Sequence, residues 1–475
     1  MNWTTSRAWH VLIILLGFGF PSSTILFAQV PIYELAPTER ELELFDLPSP
    51  ETDLISGVYP AEELSHSNSL IQLPAEKPKS KPWYEKIKFR GYAQFRMNDV
   101  THLAAGSAPP QHAGDRSVSE DQTLFLRRAR ITFSGDVNEH LSIYLQPDFA
   151  TDVPGSRDAN HFVQVRDWYG DLHLTTDKVH RIRAGQSKVP YGWENLQSSS
   201  NRLALDRNDA FNSATKNERD MGVYYYWTPE WAQELYDEVS DRGLKGSGNY
   251  GVFGIGFYAG QGGSLREQND TVHWITRYSL PIELDNGQIM ELGIQGYTGY
   301  YVVLGSPIRP LGLGAVDVTP AGTLQGGNER GILDQRLGWS FIYYPQPIGF
   351  QAEWTIGRGP ELNAAQTAVE RSSLYGGYVM MMYKLDDFHG TWIPFTRWQY
   401  YEGGYKNANN APSTQINELE LGVEWQFRPS MRLNVMYTFT DRTNLSAISS
   451  SAPVSSASYG QFDGQILRSQ FQISY

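Results

Sequence analysis

The chain has 475 residues, 44 of them Gly, 28 Tyr and 13 Trp, with 19% charged residues and no Cys. Without Cys there is no disulfide framework, thiolate metal site or cysteine nucleophile, and that usage suits an oxidising compartment. A net charge of −13 and a pI near 5.3 argue against a nucleic-acid partner, which needs a basic surface to neutralise phosphates.

At the N-terminus, Arg7 and His10 precede an apolar run from Val11 to Phe20, and small or apolar residues lead to Ala28 and Gln29. A positive start, a short apolar core and a small residue before the scissile bond predict a signal peptide over residues 1–28. Leu26 is bulky for the position three before cleavage. The core is too short to span ~30 Å of hydrocarbon as a helix, and no later stretch approaches the ~18 apolar residues a spanning helix needs. Any membrane crossing must therefore be made by strands.

Residues 29–82 are rich in Pro, Glu and Ser. Residues 30–82 hold ten acids and four bases, a net −6. Such a segment cannot bury enough apolar surface to offset chain entropy, so a mostly disordered periplasmic tether is expected, with a short helix around Glu39 to Phe45. Removing this −6 and the +1 of Arg7 from −13 leaves −8 for residues 83–475.

From residue 83 onward, apolar and polar residues alternate with period two, the strand signature. Leu467, Ser469, Phe471, Ile473 and Tyr475 share one face, and Arg468, Gln470, Gln472 and Ser474 the other. Leu419, Leu421, Val423, Trp425 and Phe427 likewise oppose Glu418, Glu420, Glu424, Gln426 and Arg428. Sixteen strands are predicted. The first eight are near 87–100, 121–136, 139–150, 160–175, 178–190, 219–228, 249–260 and 270–285. The second eight are near 288–303, 333–346, 348–358, 371–385, 388–402, 414–428, 430–441 and 463–475. Many reach ten residues, longer than globular strands and suited to a tilted crossing. The connections alternate between short turns and long loops, as in outer-membrane barrels. One link departs from that pattern: residues 229–248 replace a short turn, with Trp231 to Val239 of helical character.

Lipid offers no partner to backbone N–H and C=O groups, so a spanning sheet has to close on itself. The predicted fold is thus all-β, a transmembrane antiparallel barrel of sixteen strands with long external loops. An apolar outside and a polar lumen reconcile a membrane location with a mean hydropathy of −0.42. Aromatic clusters such as Tyr224–Trp227, Tyr343–Tyr344 and Tyr400–Tyr401 lie near strand ends, where girdles form.

Several stretches then carry a resemblance. The opening strand Ile87-Lys-Phe-Arg-Gly-Tyr-Ala-Gln-Phe-Arg resembles the first strand of the phosphate-selective porin O and P family. So do Leu126-Arg-Arg-Ala-Arg-Ile-Thr-Phe-Ser-Gly-Asp-Val, Val165-Arg-Asp-Trp-Tyr-Gly-Asp-Leu and Ala184-Gly-Gln-Ser-Lys-Val-Pro-Tyr-Gly. Arg219-Asp-Met-Gly-Val resembles the family's re-entry from its third loop, and Tyr475 the terminal aromatic of outer-membrane barrels. The resemblance implies a homotrimer of sixteen-stranded barrels in the outer membrane and a third loop that folds inward to narrow the channel.

Alternation also assigns the lumenal side chains. With Phe89, Gly91, Ala93 and Phe95 toward lipid, Lys88, Arg90, Gln94 and Arg96 face inward. With Ala129, Ile131 and Phe133 outward, Arg128 and Arg130 face inward. Closure brings Arg432 and Arg468 from the other end of the sheet beside the first strand. These guanidinium groups are expected to form an electropositive strip that hands an oxyanion from site to site. Pairing with lumenal acids such as Glu420, Glu424, Glu353 and Glu291 is the competing expectation. The third loop, residues 191–218, is long enough to be functional. Folded inward, it would bring Arg202, Asp206, Arg207, Asp209, Lys216 and Arg219 to the constriction. Lys188 just precedes it, in a register left open by the opposite parity of Arg181 and Arg183.

Catalytic chemistry finds little support. The ten His show no metal-binding spacing, and no Gly-rich phosphate cradle follows a strand and opens a helix. No cofactor, metal or catalytic residue is expected. The reading is an outer-membrane porin for passive diffusion of small hydrophilic solutes, with anions and phosphate as preferred cargo. A barrel-embedded hydrolase and a secreted soluble glycan-binding β-protein are the alternatives. Detergent dependence and heat-modifiable gel mobility are the outcome predicted for the barrel, whereas release into aqueous buffer would favour the soluble protein.

Overall fold

The computed structural model describes residues 82–107, 123–149, 163–263, 265–304, 331–364, 368–387, 389–445 and 459–475. The expected signal peptide and tether lie outside them. The sheet begins with β1 (Lys88–Leu103), β2 (Thr123–Asn138), β3 (Leu141–Asp148), β4 (Gln164–His173), β5 (His180–Lys188), β6 (Arg219–Trp227), β7 (Phe253–Tyr258) and β8 (His273–Glu283). It continues with β9 (Ile289–Tyr301), β10 (Ile332–Tyr343), β11 (Ile348–Leu362), β12 (Val369–Tyr383), β13 (Gly390–Gly404), β14 (Ser413–Arg428), β15 (Met431–Leu445) and β16 (Tyr459–Ser474). A three-residue segment, Leu385–Asp387, extends β12 beyond a break at Lys384 and pairs with the same neighbour, β13.

Each strand pairs antiparallel with the next, and β16 returns to β1, with Gln94 opposite Gln472 and Arg96 opposite Gln470. The sheet is therefore a closed barrel of sixteen staves. All sixteen predicted strands are present, with shifts of a few residues at their ends. β4 and β7 are each six residues shorter than predicted, and the β7 ladder covers only Phe253–Tyr258 of the predicted 249–260.

Burial follows the alternation. On β10, Asp334, Arg336 and Ser340 point into the barrel, while Gln335, Leu337 and Trp339 point out. Stacked aromatic pairs line the outside, including Trp392 with Trp425 at the periplasmic end and Trp354 with Trp398 further up the wall. The buried side chains lie inside the barrel, where a soluble protein would have its core.

Two connections fill that interior. The link after β6 contains α3 (Glu230–Asp241), in agreement with the helical character expected there, and Ala232, Tyr236 and Val239 form its buried face. The third loop, between β5 and β6, carries two one-turn helices, α1 (Trp193–Leu196) and α2 (Asp209–Asn212). Phe211 of α2 packs against the opposite wall at Gly338, where a Cβ would lie 2.8 Å from the ring. Gly192, at φ 82°, admits the other side of the same ring. Leu203 and Leu205 meet Tyr378, Met380 and Phe395 in a second apolar contact.

Candidate functional site: the lumenal constriction

The third loop crosses the lumen as the resemblance implied, and the acids of the later strands fasten it there. Glu353 of β11 accepts the backbone N–H groups of Trp193 and Glu194 at 2.5 and 2.8 Å. Carboxylates bind readily to such unpaired helix-start amides. Glu291 of β9 accepts from the Trp193 indole at 3.0 Å and from the Tyr344 hydroxyl at 2.7 Å. Arg397 of β13 bridges Glu194 of the loop to Glu420 of β14, at 2.8 and 2.5 Å. Arg442 of β15 joins Asp209 to Glu418 in the same way, at 3.0 and 2.6 Å. Arg336 donates to Ser213 Oγ at 2.7 Å.

With those acids committed to the loop, the opposite wall is basic. Ten cations stand there or on the face of the loop turned toward it: Arg96, Arg127, Arg128, Arg130, Arg166, Lys188, Arg219 and Arg468 on the wall, and Arg202 and Arg207 on the loop. Among the described residues, four carboxylates pair with them: Asp148, Asp167, Asp206 and Glu218. Among the described residues, ten less four leaves six more cations than carboxylates paired with them, although the whole chain is acidic.

The wall is not the uninterrupted strip expected from sequence. Arg96 meets Asp206 at 2.9 Å, and Arg468 reaches the same carboxylate. Arg130 meets Asp148 at 2.7 Å. Arg219 meets Asp167 and Glu218, each at 2.9 Å, and Arg207 also meets Glu218 at 2.9 Å. The partners are acids of the loop and of β3 and β4; the later-strand acids expected as competitors hold the loop or the link after α3 instead, and of the strip's cations only Arg432 ion-pairs with one of them among the described residues, Glu424 at 3.8 Å. Arg207, Arg219, Arg166 and Arg202 hold Glu218 well below the usual carboxylate range despite its burial.

Arg128 and Arg202, like Lys188, differ from the rest in meeting no carboxylate among the described residues. Arg128 donates to the side-chain oxygen of Gln94 at 2.9 Å and Arg202 to the backbone oxygen of Leu205 at 3.4 Å. Both are buried and within electrostatic reach of one another. Arg128 Nε, Arg202 Nε and Nη1, and Arg207 Nε have no acceptor among the described residues, and neither do Arg127 Nε and Arg166 Nε.

Lys188 turns inward at the end of β5, donating to the carbonyls of Leu196 and Gln197 at 2.6 and 3.0 Å. Arg181 and Arg183 also point inward, toward Asp171, with the Arg183 guanidinium 3.8 Å above the Tyr169 ring. The parity conflict thus resolves in favour of both. Arg90 borders two lumenal cavities of about 430 and 490 Å³ on the periplasmic side of the loop. Lys88 stands exposed at the periplasmic end, away from the constriction.

Sequence reasoning missed Arg127, Arg166, Arg336, Arg397 and Arg442. The last three lie at inward positions that the same alternation identifies. It also missed Lys245, on the aperiodic link after α3. Lys245 is buried inside the barrel and ion-paired with Glu424 of β14. Gln197 and Asn201 of the third loop donate to the carbonyls of Lys245 and Gly246, so the link braces the loop from beneath.

A profile of the phosphate-selective porin O and P family matches residues 105–475. The chain belongs to that family. It is an outer-membrane porin. Among curated proteins no sequence match is found. Among solved structures, the barrel is similar to Salmonella typhi OmpF in complex with daunomycin, at 15% identity over 82% of this chain and 97% of that one, TM-score 0.48. It is also similar to the anion-selective porin from Comamonas acidovorans, at 10% identity over 82% and 99%, TM-score 0.45. The outer membrane channel DcaP of Acinetobacter baumannii shows 11% identity over 82% and 97%, TM-score 0.45. At these scores the likenesses carry no information about cargo.

Burial pushes the Lys245 ammonium down to about 8. The group is charged at neutral pH and neutral above that value, so its ion pair with Glu424 holds the link at pH 7 and weakens under alkaline conditions. Single-channel conductance in planar bilayers is expected to rise between pH 7 and 9.5, and Lys245→Met is expected to remove that dependence.

Proposed function

We propose that this porin prefers small oxyanions, phosphate among them, and passes them along the basic wall past the third loop. The supporting observation is the set of buried guanidinium N–H groups on Arg128, Arg202 and Arg207 that lack an acceptor among the described residues. A buried donor without a partner is costly, and an oxyanion supplies what it lacks: negative charge and several lone pairs for planar donors. Asp206, Glu218, Asp148 and Asp167 temper the wall, so that no position binds an anion too tightly to release it. Arg90, Arg130, Lys188 and Arg219 border the periplasmic cavity that such an anion would enter next.

A second reading is a mixed-charge pore with no anion preference, and the ion pairs of Arg96, Arg130, Arg219 and Arg468 favour it. We further propose export through residues 1–28, a periplasmic tether over 29–82 and assembly as a homotrimer. Supporting the trimer, β3 has 8 residues and β5 has 9, against 15 or 16 in β11 to β16. At ~3.3 Å per residue and ~40° tilt, the shorter strands reach only about 20 Å. A low wall of that height is sheltered from lipid when another copy covers it.

Phosphate added to chloride-conducting channels is expected to reduce the chloride current. In Arg128→Ala/Arg202→Ala the half-blocking concentration is expected to rise about tenfold, as the loss of charge-assisted hydrogen bonds requires. No block, or an unchanged half-blocking concentration in the variant, would leave the mixed-charge reading.

A further inference from the structure

The outer wall carries a second basic site that the transport path does not use. Along the outward face of β11, Trp354 and Ile356 are followed by Arg358, an exposed guanidinium on the lipid side of the barrel. The sheet register sets Arg358 between Gln335 of β10 and Ser373 of β12. Arg371 follows on β12 two residues toward the external loop, opposite Pro360 and also exposed. Diagonal neighbours across an antiparallel pair are close enough for long side chains to act together. Neither arginine has an ion-pair partner among the described residues.

The level of this pair in the membrane follows from its surroundings. Trp354 stacks on Trp398, and Tyr375 stacks on Tyr400, with ring centroids 6.3 and 5.8 Å apart. Both tyrosine hydroxyls donate to Glu402 at 2.7 Å. Amphipathic rings with satisfied hydroxyls mark the headgroup level, here at the end of the barrel that bears the long loops. Leu337 and Ile356, 44% and 45% exposed, lie directly below on the same groove wall as Arg358 and Ser373. Apolar residues thus face the acyl region while two guanidinium groups stand at its boundary. A guanidinium facing hydrocarbon is costly unless it reaches the interface and finds a counter-charge.

We propose that Arg358 and Arg371, flanked by Gln335 and Ser373, bind the phosphate of an outer-leaflet phospholipid or phosphoglycolipid whose acyl chain lies over Leu337 and Ile356. The planar donors suit a phosphate ester, and the groove below suits its chain. The site sits on the far side of the wall from the constriction, so it stands or falls separately from ion selectivity.

The test uses the full chain, refolded or extracted in a neutral detergent, and titrated with a phosphorylated glucosamine disaccharide lipid and with its dephosphorylated form. Binding is read by native mass spectrometry. The wild-type barrel is expected to retain the phosphorylated lipid at least about tenfold more tightly than the dephosphorylated one. Arg358→Gln/Arg371→Gln is expected to erase that difference. Inorganic phosphate at equal concentration is expected not to displace the lipid, because it lacks the chain. Equal binding of the two lipids, undiminished preference in the variant, or displacement by inorganic phosphate would overturn the proposal. Heat-modifiable mobility and channel conductance serve as controls for folding, and both are expected to be unchanged in the variant.

Discussion

Hydrocarbon gives a backbone N–H or C=O nothing to bond to, so a sheet that crosses it has to meet its own edge. The seam between β1 and β16 is where this chain does so. That seam also brings together side chains 370 and 374 residues apart in sequence: Arg468 hydrogen-bonds Asn98, and Arg96 hydrogen-bonds Gln470. Asp206 of the third loop then meets both arginines. Closure sets not only the barrel but also the place where the loop's acids and the wall's bases collide.

Given closure, the charge distribution explains how an acidic chain can present a basic passage. A lumen with both signs of charge normally cancels itself. Here the acids on β9, β11 and β14 are consumed by fastening the third loop and the link beneath it, through Glu291, Glu353, Glu418, Glu420 and Glu424. Their negative charge is spent on helix-start amides, an indole and bridging cations. The arginines of β1, β2 and β6 keep only the acids of the loop, β3 and β4. Net charge over a chain therefore says little about the sign of its channel.

The barrel was legible because lipid and water impose a period of two on every strand, and all sixteen staves could be read from it. The inward direction of Arg96, Arg128, Arg130 and Arg468 was legible for the same reason. The inward fold of the third loop could be expected from its length and the family resemblance, but its anchors could not, because Glu353 pairs with amides 159 and 160 residues away. Ion pairing of the strip was the competing expectation, but its partners were not legible, because Asp206 and Glu218 belong to a segment without periodicity. Lys245 escaped altogether, since nothing in an aperiodic periplasmic link marks a side chain destined for the lumen. Alternation tells which way a side chain points, not which partner it finds there.

The central claim is that the unspent charge of the basic wall governs what passes. Reversal potential across a planar bilayer under a salt gradient measures that most directly. The account predicts a potential of the sign set by anions, diminished in the presence of phosphate. A reversal potential of the opposite sign, set by cations, would contradict it.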